Sequence, residues 1–196
     1  PKSTFSLECF VSGFGISIYD EETKRGILRH IYIRKARVTK QTMVCLVVTE
    51  NRLKKTDVLI SRLTVADETI KSIVLNINNE DTNVVLSTDC RTIYGSDYIE
   101  DELCSLRFRI SPLSFYQVNP AGAEILYGKA AEFASLTGNE LLLDLYCGTG
   151  TIGLSMAKNA RQVIGVEIIP QAIENAKENA EINNITNARF ICDDAS

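Results

Sequence analysis

The alternation of apolar and polar residues predicts a mixed α and β structure for the first half of the chain. Apolar, β-branched runs at 27–34 and 42–49 indicate two strands that pair as a hairpin. Mixed charge with spaced apolar positions predicts a helix over 53–65. Further strands are predicted at 73–77, 84–86 and 106–110. Residues 1–112 are therefore expected to form a small central α+β domain with a largely antiparallel sheet.

The pattern changes after Pro112. Asn119 before Pro120 is typical of a helix N-cap with proline at the first helical position, and Gly138 supplies a stop. There follow a strand at 141–145, a glycine loop, a helix at 151–160, a strand at 162–167, a helix at 170–183 and a strand at 188–192. This βαβαβ order predicts, over 113–196, the first half of a Rossmann-like doubly wound sheet. The fold class is α/β.

The loop between the first strand and helix of this second region is a literal G-x-G-x-x-G from Gly148 to Gly153. Glycines there allow a tight turn and a close approach of ligand to backbone. Glu167 ends the next strand, 17 residues after Gly150, where its carboxylate can accept hydrogen bonds from both hydroxyls of a ribose. A nucleotide-like cofactor is therefore expected.

Acidic residues separate two cofactor classes, nicotinamide dinucleotides and S-adenosylmethionine. Asp144 ends the first strand, where it would repel a pyrophosphate but suits the ammonium and sulfonium charges of S-adenosylmethionine. Asp193 and Asp194 follow the third strand, where a side-chain acceptor can take the adenine amino protons. Their alternative role is to cap a following helix. Acids after all three strands favour S-adenosylmethionine.

Cysteine and histidine usage gives no metal-binding pattern. The six cysteines are unclustered and His30 is the only histidine, so no zinc or iron–sulfur spacing is present and the thiols indicate a reducing, cytoplasmic compartment. Cys147 lies inside the glycine loop and could act as a nucleophile. Because no histidine is nearby in the sequence to act as its base, we expect it to pack behind the loop.

Charge is distributed unevenly along the chain. Residues 1–63 contain 12 Lys and Arg against 6 Asp and Glu, while the rest of the chain is acidic and the total is -4. The basic stretch is either a polyanion-binding surface or an ordinary solvated face. No apolar run approaches the roughly 20 residues needed to cross a bilayer, so no membrane partner is expected.

Four stretches together resemble the RNA uracil-5 methyltransferase family, whose members make 5-methyluridine in ribosomal or transfer RNA. They are SFYQVNP at 114–120, LLLDLYCGTGTIGL at 141–154, VIGVEIIPQAIENAKENAEINN at 163–184 and YDEETKRGILRHIYIRK at 19–35. The resemblance covers most of the chain. It implies a class I methyltransferase fold for 113–196 and S-adenosylmethionine as cofactor.

The resemblance also implies roles for individual residues. Gln117, Asp144, Tyr146, Gly148, Gly150, Thr151, Glu167 and Asp194 would hold the cofactor, with Glu167 at the ribose and Asp194 at the adenine. Phe115 would form one wall of the pocket that holds a flipped uracil. For Phe115 and Tyr146 the alternative is an ordinary core aromatic. Arg29, His30, Arg34 and Lys35, within the basic stretch that also holds Arg25, Arg37 and Lys40, would face RNA phosphates.

Family chemistry requires groups that this chain lacks. A cysteine thiolate adds to C6 of uracil, C5 then attacks the methyl group, and a base removes the C5 proton. In the family both groups follow the third strand, so no catalytic residue is expected here and both are expected downstream of Ser196. The chain begins with Pro1 and not with Met, which also indicates a fragment. An iron–sulfur cluster is possible in the parent, but Cys9 alone cannot supply four ligands.

The sequence therefore predicts part of an enzyme that transfers a methyl group from S-adenosylmethionine to C5 of a uridine in RNA. Ribosomal RNA is favoured over transfer RNA, and a cytoplasmic monomer is expected. Three alternatives remain open: an N- or O-methyltransferase, an NAD(P)-dependent oxidoreductase, and a non-catalytic RNA-binding module.

Overall fold

A computed structural model describes residues 16–195, which divide into two compact units. The first comprises the described residues up to Ala36 together with Lys40–Ile99, and the second comprises Arg37–Thr39 and the residues from Glu100 onward. Elements of the first unit are β1 (Leu28–Lys35), β2 (Thr42–Val48), α1 (Thr56–Ala66), β3 (Ile70–Ile77) and β4 (Cys90–Gly95). Then follow β5 (Ile99–Leu103), β6 (Leu106–Ile110), α2 (Pro120–Ala134), β7 (Leu141–Leu145), α3 (Thr151–Met156), a 3-10 turn (Ala157–Asn159), β8 (Gln162–Glu167), α4 (Pro170–Ile182) and β9 (Ala188–Cys192).

The sheet of the first unit has the strand order β1-β2-β3-β4. The predicted hairpin of β1 and β2 is confirmed, since the two strands pair antiparallel. β2 and β3 are parallel because α1 carries the chain back between them, and β3 and β4 are antiparallel. The sheet is thus mixed, whereas the sequence predicts a largely antiparallel one.

The predicted strand at 84–86 is wrong. The side-chain amide of Asn78 donates hydrogen bonds to the carbonyls of Val84 (2.8 Å) and Val85 (3.2 Å), so this stretch is held as a loop. The fourth strand is β4, which begins at Cys90. Its residues are mostly exposed and polar, so the apolar pattern gives no signal for it.

The core of the first unit lies between β2, β3 and α1. All seven residues of β2 are buried, and Leu59 and Leu63 of α1 pack in the same cluster as Val44 and Leu46. Each such side chain contributes roughly 1.5–3 kcal/mol through burial of apolar surface.

The second unit contains the predicted βαβαβ arrangement. Strands β7, β8 and β9 form a parallel sheet in that order, which confirms the predicted strands at 141–145, 162–167 and 188–192. Two helix ends differ from the prediction. The helix from Thr151 ends at Met156 and continues as the 3-10 turn. Helix α2 ends at Ala134, where Ser135 is its left-handed C-cap (φ 47°), three residues before Gly138 (φ 95°).

The β5–β6 hairpin belongs to the second compact unit. Strand β6 lies against α4, where Asn179 accepts a hydrogen bond from the backbone of Arg109 (2.8 Å). The division of roles between a central domain at 1–112 and a cofactor domain at 113–196 stays a prediction.

The two faces of the β7 strand differ in exposure. Leu142 packs in a cluster with Val163 and Ala160, whereas Leu141, Leu143 and Leu145 are exposed. Within the described residues, the helices of this unit therefore cover one face of the strand. No helix among residues 16–195 is long and apolar enough to cross a membrane.

Candidate functional site

Three acidic positions meet at one edge of the parallel sheet in the second unit. Leu145, next to Asp144, pairs with Val166, and Glu167 pairs with Cys192, so the carboxyl ends of β7, β8 and β9 are side by side. The backbone N–H of Asp193 donates to the carbonyl oxygen of Glu167 at 3.1 Å. In open α/β sheets this edge is where ligands bind.

The glycine loop has a backbone that few side chains tolerate. Gly148 (φ 53°) and Gly150 (φ 80°) are left-handed, and a Cβ on Gly150 would lie 3.1 Å from the ring of Phe190. Tyr146 is also left-handed (φ 62°), which costs a non-glycine residue on the order of 1–3 kcal/mol. Tyr146 is 67% exposed, and its contact with a cofactor stays a prediction.

Asp144 supports the loop from beneath. Its Oδ2 accepts a hydrogen bond from the Gly153 N–H at 2.8 Å. The pKa of this carboxyl is raised above its usual value because burial outweighs the hydrogen bond from Gly153, which lowers the pKa. A Cβ on Gly153 would lie 2.9 Å from both that oxygen and Cγ1 of Val163. The last glycine of the motif is therefore required by packing around Asp144.

Glu167 joins the loop to the end of β8. Its Oε2 accepts from the N–H of Gly148 (3.1 Å) and its Oε1 from the N–H of Ile169 (3.1 Å). A carboxylate has about four lone-pair sites, so these two bonds leave capacity for donors of a ligand. Asp194 is exposed, and its N–H bonds the side chain of Asp193 at 2.8 Å; its role at an adenine stays a prediction.

Cys147 packs behind the loop, as the sequence predicts. It is buried, and a Cβ on Gly165 would lie 2.8 Å from its Sγ. Burial, with smaller contributions from Asp144 and Glu167, raises the pKa of the thiol to about 12, which favours the protonated thiol over the nucleophilic thiolate at neutral pH. Cys9 lies outside the described residues. Within residues 16–195, no group of three or more His, Cys, Asp or Glu side chains could hold a metal ion.

The SFYQVNP segment contains both anchored and exposed residues. Ser114 is buried, Gln117 is half-buried and Asn119 caps α2 by accepting a hydrogen bond from the Gly122 N–H at 3.0 Å. Phe115 is 72% exposed. The contacts of Gln117 with a cofactor and of Phe115 with a base stay predictions.

Two connections to the glycine loop come from residues that the sequence analysis did not select. The Tyr127 hydroxyl lies 3.2 Å from Oγ1 of Thr151, the first residue of α3. The side-chain amide of Asn179 donates to the Thr149 carbonyl at 3.2 Å. A signal for Asn179 exists, since asparagines recur every four residues at 175, 179 and 183.

Arg29 has a structural role in the first unit. Only 2% of its side chain is exposed, and its guanidinium donates to the carbonyls of Asn78 (3.2 Å), Glu80 (2.9 Å) and Thr82 (3.4 Å). It also lies over the ring of Tyr19, 4.6 Å from the centroid. This burial corrects the expectation that Arg29 faces RNA.

The other three basic residues selected on β1 are divided between its faces. His30 and Arg34 lie on one face, where Arg34 stacks on Tyr32 at 5.3 Å and donates to its hydroxyl at 2.6 Å. Lys35 lies on the opposite face and is exposed. The predicted set therefore does not form a single surface on this strand.

Comparisons with known proteins agree with this geometry. A family model described as tRNA (Uracil-5-)-methyltransferase matches residues 65–195. An uncharacterized RNA methyltransferase of Clostridium tetani is 46% identical over 185 residues, which cover 94% of this chain and 40% of that protein. One of Listeria innocua is 49% identical over 177 residues, with 90% and 39% covered. The chain thus spans about 40% of the length of these curated relatives.

Solved structures show the same relationship. The Pyrococcus abyssi tRNA (uracil-54, C5)-methyltransferase in complex with S-adenosyl-L-homocysteine matches with a TM-score of 0.82 and 29% identity, covering 100% of this chain and 46% of that one. The complex of aTrm5 with tRNALeu matches with a TM-score of 0.53 and 16% identity, covering 96% and 53%. The second match shows a likeness of fold alone.

The contact between Gly153 and Asp144 can be tested by adding one methyl group. We expect Gly153→Ala to lower the free energy of unfolding by about 1–3 kcal/mol, because the Cβ must displace the carboxylate and Val163. Gly128→Ala, in the interior of α2 where nothing lies within 4 Å of the new Cβ, should raise it by about 0.5–1 kcal/mol. Urea unfolding measures both, and a Gly153→Ala variant as stable as the parent would contradict the packing argument.

Proposed function

Because the chain belongs to the tRNA (uracil-5-)-methyltransferase family, we propose that the protein transfers a methyl group from S-adenosylmethionine to C5 of a uridine in RNA. The proposal rests on one observation: Asp144 and Glu167 accept hydrogen bonds from the glycine loop and so fix it beside the acidic edge of a parallel sheet. S-adenosyl-L-homocysteine, named in the complex of the Pyrococcus abyssi enzyme, is the product left by such a transfer.

The residues of this edge fit the proposed cofactor. Glu167 retains acceptor sites suited to two ribose hydroxyls, and a Cβ on Gly148 would have no atom within 4 Å, so this part of the loop borders open space. Asp144 adds negative charge beneath the loop, which favours a cationic ligand over a pyrophosphate. When bound, S-adenosylmethionine would supply the methyl group as an electrophile attached to a sulfonium.

Five more residues complete the proposed cofactor site and its base pocket. Tyr146, Thr151 and Asp194 would contact the cofactor, with Asp194 at the adenine. Phe115 would form a wall for an extruded uracil, a role that suits an aromatic ring because it can stack on a base. Gln117, two residues on in the same segment, would contact both cofactor and base.

The groups that perform the covalent chemistry are proposed to lie outside these residues. A nucleophile for uracil C6 must be a thiolate at neutral pH. Cys147 in the glycine loop is buried, and burial raises its pKa to about 12, which argues against a thiolate there. Because the chain spans about 40% of its relatives' length, we assign both the nucleophile and the base to the remainder of the full-length protein.

The RNA substrate is proposed only as a class. The sequence favours ribosomal RNA, while the family description and the Pyrococcus abyssi enzyme name tRNA. We propose that His30, Arg34 and Lys35 contact phosphates, and we omit Arg29 because its guanidinium is buried against backbone carbonyls. We further propose that the protein works in the cytoplasm as a monomer.

The cofactor assignment predicts a specific loss of affinity. Glu167→Ala should weaken binding of S-adenosylhomocysteine by about 1.5–3 kcal/mol, the range for hydrogen bonds to a charged group, measured by calorimetry. Glu140→Gln is the control, because Glu140 accepts from the N–H and hydroxyl of Thr137 before β7 and should leave the affinity unchanged. Unchanged affinity in Glu167→Ala would remove this residue from the ribose, and binding of NAD instead would favour an oxidoreductase.

The reaction itself is tested on the full-length protein. Incubation with labelled S-adenosylmethionine and either ribosomal or transfer RNA, followed by nucleoside mass spectrometry, should give 5-methyluridine in one of the two RNAs. Methylation at nitrogen or oxygen would contradict the proposal.

The proposed phosphate contact of Lys35 predicts a change in salt dependence. Lys35→Ala should lower the slope of log affinity for RNA against log salt by about 1, since one phosphate contact is lost. Lys177→Ala, which removes the same charge from the exposed side of α4 where Lys177 pairs with Glu174 at 2.7 Å, should not. Equal slopes in both variants would count against Lys35 at the RNA.

A further inference from the structure

Three asparagines spaced four residues apart line the side of α4 that meets β6. We call Asn175, Asn179 and Asn183 the asparagine ladder. We propose that the asparagine ladder positions the glycine loop and the SFYQVNP segment relative to each other, so that the methyl donor and the target base meet in a fixed register. This inference rests on the proposed function and adds positioning residues to it.

The ladder matches the repeat of the strand it faces. Four residues along a helix rise about 6 Å, and two residues along a strand rise about 6.6 Å. Asn183 accepts from the N–H of Arg107 (2.9 Å) and donates to its carbonyl (2.6 Å). Asn179 accepts from the N–H of Arg109 (2.8 Å) and donates to its carbonyl at 3.5 Å. Side-chain amides thus pair with the strand edge as a neighbouring strand would.

Asn179 also makes one hydrogen bond outside its pairing with β6. Its side-chain amide also donates to the carbonyl of Thr149, inside the glycine loop, at 3.2 Å. Asn179 is fully buried and Thr149 is 3% exposed, so water cannot replace this bond without opening the site. The position of the loop backbone is therefore coupled to β6 through one side chain.

Asn175 connects the ladder to the other segment. Its Oδ1 lies 3.1 Å from the hydroxyl oxygens of both Ser111 and Ser114, which are themselves 2.8 Å apart. All three residues are buried. Ser114 begins the SFYQVNP segment, so Phe115 and Gln117 follow directly from this anchored point.

A purely structural role would not require this arrangement. Asparagine is a weaker helix former than alanine or leucine, and apolar side chains would cover α4 as well. Asparagine is needed where backbone groups require a donor and an acceptor from one side chain. Because small displacements of reacting groups are costly in catalysis, a rigid link between the two segments has a functional use.

The test compares Asn179→Ala with Asn183→Ala in the full-length protein. Both variants lose hydrogen bonds to β6, but only Asn179→Ala loses the bond to Thr149. We expect both to lower the urea midpoint. Only Asn179→Ala should accelerate hydrogen exchange of amides 148–151 roughly tenfold and raise the dissociation constant for S-adenosylhomocysteine about fivefold. Asn179→Ser, which shortens the side chain so that it no longer reaches Thr149 and adds no charge at this buried position, should behave like Asn179→Ala and serves if the latter does not fold.

The contact of Asn175 with the two serines is tested by a second pair of variants. Asn175→Leu should accelerate exchange of amides 114–118, while Asn175→Asp, which keeps an oxygen for both serines, should change it much less. The positioning role would be overturned if the Asn179 and Asn183 variants changed the exchange of amides 148–151 and the dissociation constant equally. Unchanged hydrogen exchange in Asn179→Ala or in Asn175→Leu would also overturn it. Failure of the unmodified protein to bind S-adenosylhomocysteine would contradict the proposed function instead, while hydrogen exchange still decides the role of the ladder.

Discussion

Two carboxylates that accept hydrogen bonds from backbone N–H groups hold the glycine loop of the second unit. Asp144 bonds Gly153 at the start of α3, and Glu167 bonds Gly148 at the start of the loop. Both carboxylates come from the ends of neighbouring parallel strands, so the sheet register sets the distance between the two anchors. Gly148 and Gly150 adopt left-handed conformations that glycine accepts without a steric penalty, and the left-handed Tyr146 directly precedes this anchored segment.

Buried polar side chains perform a similar task elsewhere in both units. Arg29 binds three carbonyls of the loop after β3, and Asn78 binds two more in the same loop. In the second unit the asparagine ladder serves the edge of β6 and reaches the glycine loop. Irregular backbone carries unsatisfied groups that must find partners when buried. These side chains supply the partners, and they fix where each loop lies.

Apolar periodicity predicted strongly patterned elements well and weakly patterned ones poorly. β7, β8 and β9 were predicted with their observed bounds because each combines an apolar run with a loop or helix signal on both sides. The strand β4 was missed, since its outward polar residues give no alternation. The helix beginning at Thr151 was predicted too long, because its change to a 3-10 turn leaves the apolar pattern unaltered.

Several properties follow from the order of residues alone: the βαβαβ arrangement, the glycine loop, and acids at the strand ends. They follow because strand and helix periods, glycine backbone freedom and chain order are local or nearly so. Tertiary packing decided which charged residues face solvent and which side chains hold the loop. Arg29 and Lys35 are alike in a basic stretch, yet one is buried against carbonyls and the other is exposed. Only the fold brings Asn179 to Thr149, 30 residues away, because that contact depends on how α4 packs and not on any local preference.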